Sequence, residues 1–216
     1  MSSLFPRWSN TVFGLVVFLL GALTLGAMAA PMVFVRTPYA TQAGNPTLQP
    51  VTFDHRHHTR DDGIDCLYCH FEAERSRYAG VPPTELCMGC HSQVWNDSPL
   101  LAPVRKSFFT KTPIRWARVH ALPDFVRFDH SAHVKKGVGC VTCHGRVDLM
   151  AAVYQVAPLT MEWCLDCHRS PDENLRPLDR ITDMVWQPAE PRALTGAALR
   201  RGLRAAPPTQ CSTCHY

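Results

Sequence analysis

Cys66-Leu67-Tyr68-Cys69-His70 is the first of five copies of a single pattern. The others are Cys87-Met88-Gly89-Cys90-His91, Cys140-Val141-Thr142-Cys143-His144, Cys164-Leu165-Asp166-Cys167-His168 and Cys211-Ser212-Thr213-Cys214-His215. Two thiols three residues apart fall on one helical turn, where both can add to the vinyl groups along one edge of a porphyrin. The histidine that follows then presents its imidazole to the iron, and C-x-x-C-H is the attachment pattern of c-type haem. One copy would say little, but five copies consume all ten cysteines of the chain. The reading is five covalently bound c-type haems. Each takes its thioether bonds from one Cys pair (Cys66 and Cys69, Cys87 and Cys90, Cys140 and Cys143, Cys164 and Cys167, Cys211 and Cys214). The proximal iron ligands are His70, His91, His144, His168 and His215.

Two other uses of cysteine fit less well. Structural zinc takes four ligands, so five C-x-x-C-H units would pair off badly, and zinc would not require a histidine after each second cysteine. A disulfide framework also accounts for an even cysteine count but gives no role to the five trailing histidines.

With 216 residues, 9% of them aromatic and 18 prolines, the chain has little apolar material for a protein core of its own. The expected fold is therefore that of a multihaem cytochrome c: short α-helices and long loops wrapped around haems that supply the core. The formal net charge of +4 counts no haem propionates. Five haems would add up to about −10, so the lysines and arginines read as propionate partners. No nucleic-acid motif is present.

Near the N-terminus, Thr11 to Val35 runs for 25 residues without a charge and is closed by Arg36. At about 1.5 Å per residue a helix of this length crosses a hydrocarbon core of about 30 Å. Gly14, Gly21, Ala22 and Gly26 offer small faces for packing against other membrane helices. A cleaved signal peptide is the rival, with Ala27-Met28-Ala29 as the processing site. The apolar run continues past that point and Pro31 crowds the scissile bond, which favours a retained single-pass anchor. Because c-type haem is attached outside the cytoplasm, the remainder is expected on the periplasmic side of the inner membrane.

The divisions expected from the sequence are an anchor at 1–36, a linker at 37–52, a first di-haem module with its connecting segment at 53–127, a second di-haem module at 128–169, and a C-terminal segment with the fifth haem at 170–216. The two modules are an internal repeat. Phe53-Asp54-His55-Arg56-His57-His58 leads eight residues later to Cys66, and Phe128-Asp129-His130-Ser131-Ala132-His133 leads seven residues later to Cys140. Each copy reaches its second motif through a Pro/Thr segment. Cation-rich stretches at 104–118 and at Arg192, Arg200, Arg201 and Arg204 read as propionate partners and solvated surface, with a docking face as the alternative.

Six of the eleven histidines lie outside the motifs. His55 and His58, like His130 and His133, stand three residues apart, so both can serve from one turn. These four are the expected distal ligands. His57 has no counterpart in the second copy and reads as a surface residue. His120 would bring the distal set to five, with Met150 and Met161 as competitors for that site. Methionine ligation would raise the potential there. With every iron doubly ligated, no position is left for a small substrate, and no catalytic residue is expected.

The F-D-H-x-x-H segments with their following motifs resemble the class III, cytochrome c3/c7-like group, in which an H-x-x-H pair supplies distal ligands to two haems. The longer stretches Arg118-Val119-His120 through Phe128-Asp129-His130, Cys143-His144-Gly145 and Leu159-Thr160-Met161-Glu162-Trp163-Cys164, together with the anchor, resemble the pentahaem cytochrome c component of bacterial alternative complex III. That resemblance implies a relay of electrons from a quinol-oxidising complex to cytochrome c or a terminal oxidase. The implied partners are an iron–sulfur/molybdopterin-like subunit, polytopic quinol-binding subunits and a mono-haem cytochrome c subunit. The alternative is a NapC/NrfH-like quinol dehydrogenase that feeds a periplasmic reductase. Such a protein would need a base near the membrane, for which Asp54, Asp61, Asp62 and Asp65 are candidates.

Overall fold

A computed structural model describes residues 5–216; residues 1–4 of the expected anchor lie outside it. The chain divides into two units, residues 1–42 and 43–216.

The first unit is dominated by helix α1, Ser9–Phe34. Its most apolar 18-residue window has a mean hydropathy of 2.4, and none of its residues is buried against protein. By length and composition it can cross a membrane; a signal sequence would pass the same test. Pro31 lies inside the helix and does not end it. A four-residue helix follows, α2 (Pro38–Thr41), capped by the Thr37 side chain.

The second unit is built from short helices: α3 (Cys66–Cys69), α4 (Thr84–His91), α5 (Ala102–Thr110), α6 (His130–Lys135), α7 (Cys140–His144), α8 (Met161–Arg169), α9 (Arg192–Gly202) and α10 (Cys211–Cys214). Isolated β-bridges join distant loops, pairing Pro46 with Tyr154, Val126 with His215 and Val138 with Leu175. The protein core is as thin as the composition suggests. Among the described residues no large side chain is fully buried, and one small apolar cluster gathers around Val51, Met88 and Val104.

Part of the expected linker is not free. Gly44 and Thr47 donate backbone hydrogen bonds to Gln155 and Val153 (2.7 and 3.3 Å), and the Gln49 side chain brackets the Ala117 peptide with two bonds of 2.9 Å. Polar, proline-rich residues carry no periodic signal, so this edge pairing is invisible in the sequence.

The C-terminal segment is also more ordered than its irregular sequence indicates. Helix α9 lies directly on the turn Pro171–Asn174, and a Cβ at Gly196 would collide with the Asp172 carbonyl oxygen. Only glycine permits that approach.

Candidate haem sites

Each C-x-x-C-H motif begins or sits within a helical turn, so each cysteine pair projects from one face of a helix. Local chemistry starts several of these turns. The Asp65 carboxylate accepts the Leu67 N–H (2.8 Å) to cap α3, and the Thr160 hydroxyl accepts the Trp163 N–H (3.3 Å) to cap α8. Gly145 ends α7 at φ +66°, with Val156 filling the space a side chain would need.

Imidazole orientation is the strongest feature of the sites. Six histidines donate Nδ1–H to a backbone carbonyl: His58 to Asp54 (3.1 Å), His70 to Gly80 (2.8 Å), His91 to Val94 (3.0 Å), His130 to Arg77 (2.9 Å), His133 to Asp129 (2.7 Å) and His168 to Pro208 (2.7 Å). A carbonyl can only accept, so the proton is on Nδ1 and the Nε2 lone pair is free to bind a metal. His120 shows the complementary sign: its Nε2 is buried without a hydrogen-bond partner.

The two F-D-H-x-x-H segments repeat one another in detail. Phe53 meets His55 edge-on (4.7 Å, 85°) and lies along His58 (4.4 Å, 28°). Phe128 does the same with His130 (4.7 Å, 85°) and His133 (4.7 Å, 28°). Both aspartates offer their carbonyl to the second histidine. Sequence reasoning missed these roles of Phe and Asp, although their repetition in both copies is the signal for them.

Distances between rings then pair the segments with the motifs. His58 lies 6.1 Å from His91, His133 lies 6.0 Å from His168, and His130 lies 6.3 Å from His144. Two metal–imidazole bonds of about 2 Å each, plus half of each ring, account for a separation of this size. His55 is close enough to His70 to disfavour its protonation. His120 rests against His144, ring centres 4.3 Å apart, and the ring neighbour of His215 is Phe125 (5.9 Å).

Burial favours the neutral state, the one that binds iron, at His55, His120, His133 and His144. Desolvation, followed by the fields of His120, His130, His70 and His55, pushes His144 down to about 3. Burial, then His70 and His58, brings His55 down to about 4, and burial lowers His120 and His133 as well. Burial pushes the Cys143 thiol up to about 12. The donor set, its tautomers and its orphaned nitrogen all suit c-type haem.

Other expected residues separate out. His57 is exposed and pairs with Asp61 (3.0 Å), as a surface residue would. Met161 is 66% exposed, whereas Met150 is buried. Asp54 is bound by the Arg56 guanidinium (2.7 Å), which holds its carboxyl down to about 2, and Asp65 is occupied as a helix cap. Asp54 is therefore not poised as a proton acceptor near neutrality. Several cations expected to meet propionates already have protein partners. Lys111 pairs with Glu85 (3.0 Å), Arg105 donates to the Asn96 and Ser98 carbonyls, Arg192 donates to Gln187, and Arg200 pairs with Asp172 (3.1 Å).

The comparisons with known proteins agree with this chemistry. Residues 126–216 match the family model for cytochrome c7 and related cytochrome c. A curated relative is the menaquinone reductase, multiheme cytochrome c subunit, of Nitratidesulfovibrio vulgaris, 36% identical over 97 residues. That match covers 44% of this chain and 45% of the relative, so the chain spans a little under half of that protein's length. Residues 126–216 are thus similar to a cytochrome c7-like multihaem domain.

Proposed function

We propose that the chain is a membrane-anchored pentahaem c-type cytochrome that relays electrons in a quinol-linked respiratory complex. The observation that carries this reading is the duplicated F-D-H-x-x-H geometry, in which His58, His130 and His133 stand 6.0–6.3 Å from motif histidines, a metal-bridging separation. Bound haem supplies a one-electron redox centre at each motif. The chain's own residues would attach the group through paired cysteines, fix six of the imidazole tautomers through Nδ1–H bonds to backbone carbonyls, and pack the two histidine pairs against Phe53 and Phe128. His55 serves the site of His70, His58 that of His91, His130 that of His144 and His133 that of His168. The site of His215 has Phe125 as its ring neighbour, and His120, whose ring rests against His144, Met150 and Met161 are the candidates for the fifth distal ligand.

The complex we favour resembles alternative complex III. Its iron–sulfur/molybdopterin-like subunit, polytopic quinol-binding subunits and mono-haem cytochrome would surround this chain, and cytochrome c or an oxidase would accept the electrons. α1 would hold the chain in the inner membrane with the haem-bearing unit on the periplasmic side. The menaquinone reductase relative favours a second reading, in which electrons run toward the quinone.

Isolation of the protein from native membranes in mild detergent tests both. Co-purification with polytopic chains and an iron–sulfur protein, with quinol:cytochrome c reduction, supports the first reading; quinone reduction by a reduced cytochrome supports the second. A lone protein reduced directly by a quinol analogue would overturn both. His120→Ala should convert one low-spin haem to high spin, and an unchanged spectrum would transfer that role to Met150 or Met161.

A further inference from the structure

The stretch between the fourth and fifth motifs, with no periodicity to give it a role, reaches back to both modules at one point. The Cys140 N–H, at the start of α7, donates to the Ile181 carbonyl (3.1 Å). The next residue, Thr182, donates its hydroxyl to the Asp65 carboxylate (2.5 Å), the group that caps the start of α3. Two adjacent residues thus hold the first turn of the first motif and the first turn of the third. Behind them, Arg176 is buried and spans the loop from within, donating to the Asp183 carbonyl (2.6 Å) and lying over Trp186. Its N–H also bonds the Gly137 carbonyl (2.8 Å), beside the bridge between Val138 and Leu175.

The remaining contacts run in the same direction. His130 N–H and Nδ1–H both donate to the Arg77 carbonyl, and the Ser131 N–H donates to Ser76, so the loop after the first motif grips the distal segment of the second module. At the helix starts themselves, the Cys66 and Cys140 thiols lie close enough to perturb one another's ionisation.

We propose that Ile181 and Thr182 form a staple that clamps the first and third motifs edge to edge, making the contact between Cys66 and Cys140 the junction through which electrons cross between the two modules. The proposal rests on the relay reading above. Both cysteines carry the porphyrin edge in their thioether bonds, so the staple sets the closest approach of the two redox groups. One electron leaves one site and reduces its neighbour by one; no atom is transferred. The remaining motifs follow from the histidine pairs and one loop contact. His58, 6.1 Å from His91, joins the second motif to the segment that also presents His55 to the first. His130 and His133, 6.3 Å from His144 and 6.0 Å from His168, join the third to the fourth. The fourth and fifth are linked by the bond from His168 to Pro208 (2.7 Å). The resulting order of sites is second, first, third, fourth, fifth, so the second and fifth motifs are the ends at which partners exchange electrons. Thr182 is a positioning residue.

The test uses the haem-loaded full chain in its complex. Intact mass of the chain counts the attached haems and so tests the relay reading separately. Thr182→Val keeps the shape but removes the hydroxyl donor, and Thr182→Ser restores it. The expected result is five haems in all three proteins, with the magnetic interaction between the haems of the first and third motifs, read by electron paramagnetic resonance during a redox titration, lost in Thr182→Val and recovered in Thr182→Ser. An unchanged interaction in Thr182→Val would overturn the staple. Should that variant fail to accumulate, a structure of the unmodified haem-loaded chain decides the matter: Cys66 and Cys140 sulfurs in contact support the junction, and sulfurs separated by intervening side chains overturn it.

Discussion

The two F-D-H-x-x-H segments have the same ring geometry on different backbones. The second is an ordinary α-helix, His130–Lys135, whereas the first is a π-helical turn, Arg56–Asp61. The first copy also has one more residue between its second histidine and the next cysteine, seven against six. A π turn closes its hydrogen bond over five residues, as the Asp62 N–H does onto His57, and so takes up one extra residue within the turn. The insertion leaves the angles between Phe53, His55 and His58 equal to those of Phe128, His130 and His133. Constraint falls on ring placement, and the backbone adapts around it.

A second difference concerns the first histidine of each pair. His130 has the Arg77 carbonyl for its Nδ1–H, whereas the Nδ1 of His55 is buried without a partner. An oriented, carbonyl-bonded imidazole is the more basic ligand. Under the ligand assignment proposed above, the site served by His130 should favour the oxidised state more than the site served by His55.

The largest expected effect comes from removing the second histidine. His58→Ala and His133→Ala should each turn one haem from low to high spin, visible in the Soret and charge-transfer bands. Equal changes would support equivalent modules, and a silent variant would break the comparison at that copy. Truncating the aromatic platform should cost less. Phe53→Leu and Phe128→Leu lose ring stacking of about 0.5–1.5 kcal/mol, measurable as a similar drop in denaturant midpoint for both.

Deleting Arg60, an exposed residue of the π turn, should convert the first segment to the α-helical form of the second. Low-spin absorbance would be retained, and its loss would show that the π turn itself positions His58. The smallest effect belongs to His57→Ala. It removes an exposed pair with Asp61 worth about 0–1 kcal/mol and should leave the haem spectrum unchanged.

Much of this protein is determined at the level of sequence. The C-x-x-C-H pattern is local chemistry: five residues suffice to specify two thioether donors and an imidazole on one turn. The duplication of Phe, Asp and two histidines is legible for the same reason, as is an uncharged run long enough to span a bilayer. The pairing of ligands with motifs is decided elsewhere. His168 takes its orienting carbonyl from Pro208 and His130 takes its own from Arg77, forty and fifty-three positions away, and no spacing rule encodes such contacts. The same holds for Ile181 and Thr182, which have no periodicity or motif and acquire meaning only where the chain returns to the starts of α3 and α7. Local covalent chemistry is written in short patterns. The relative placement of the sites depends on backbone hydrogen bonds between loops, which almost any side chain permits, and only the tertiary structure decides it.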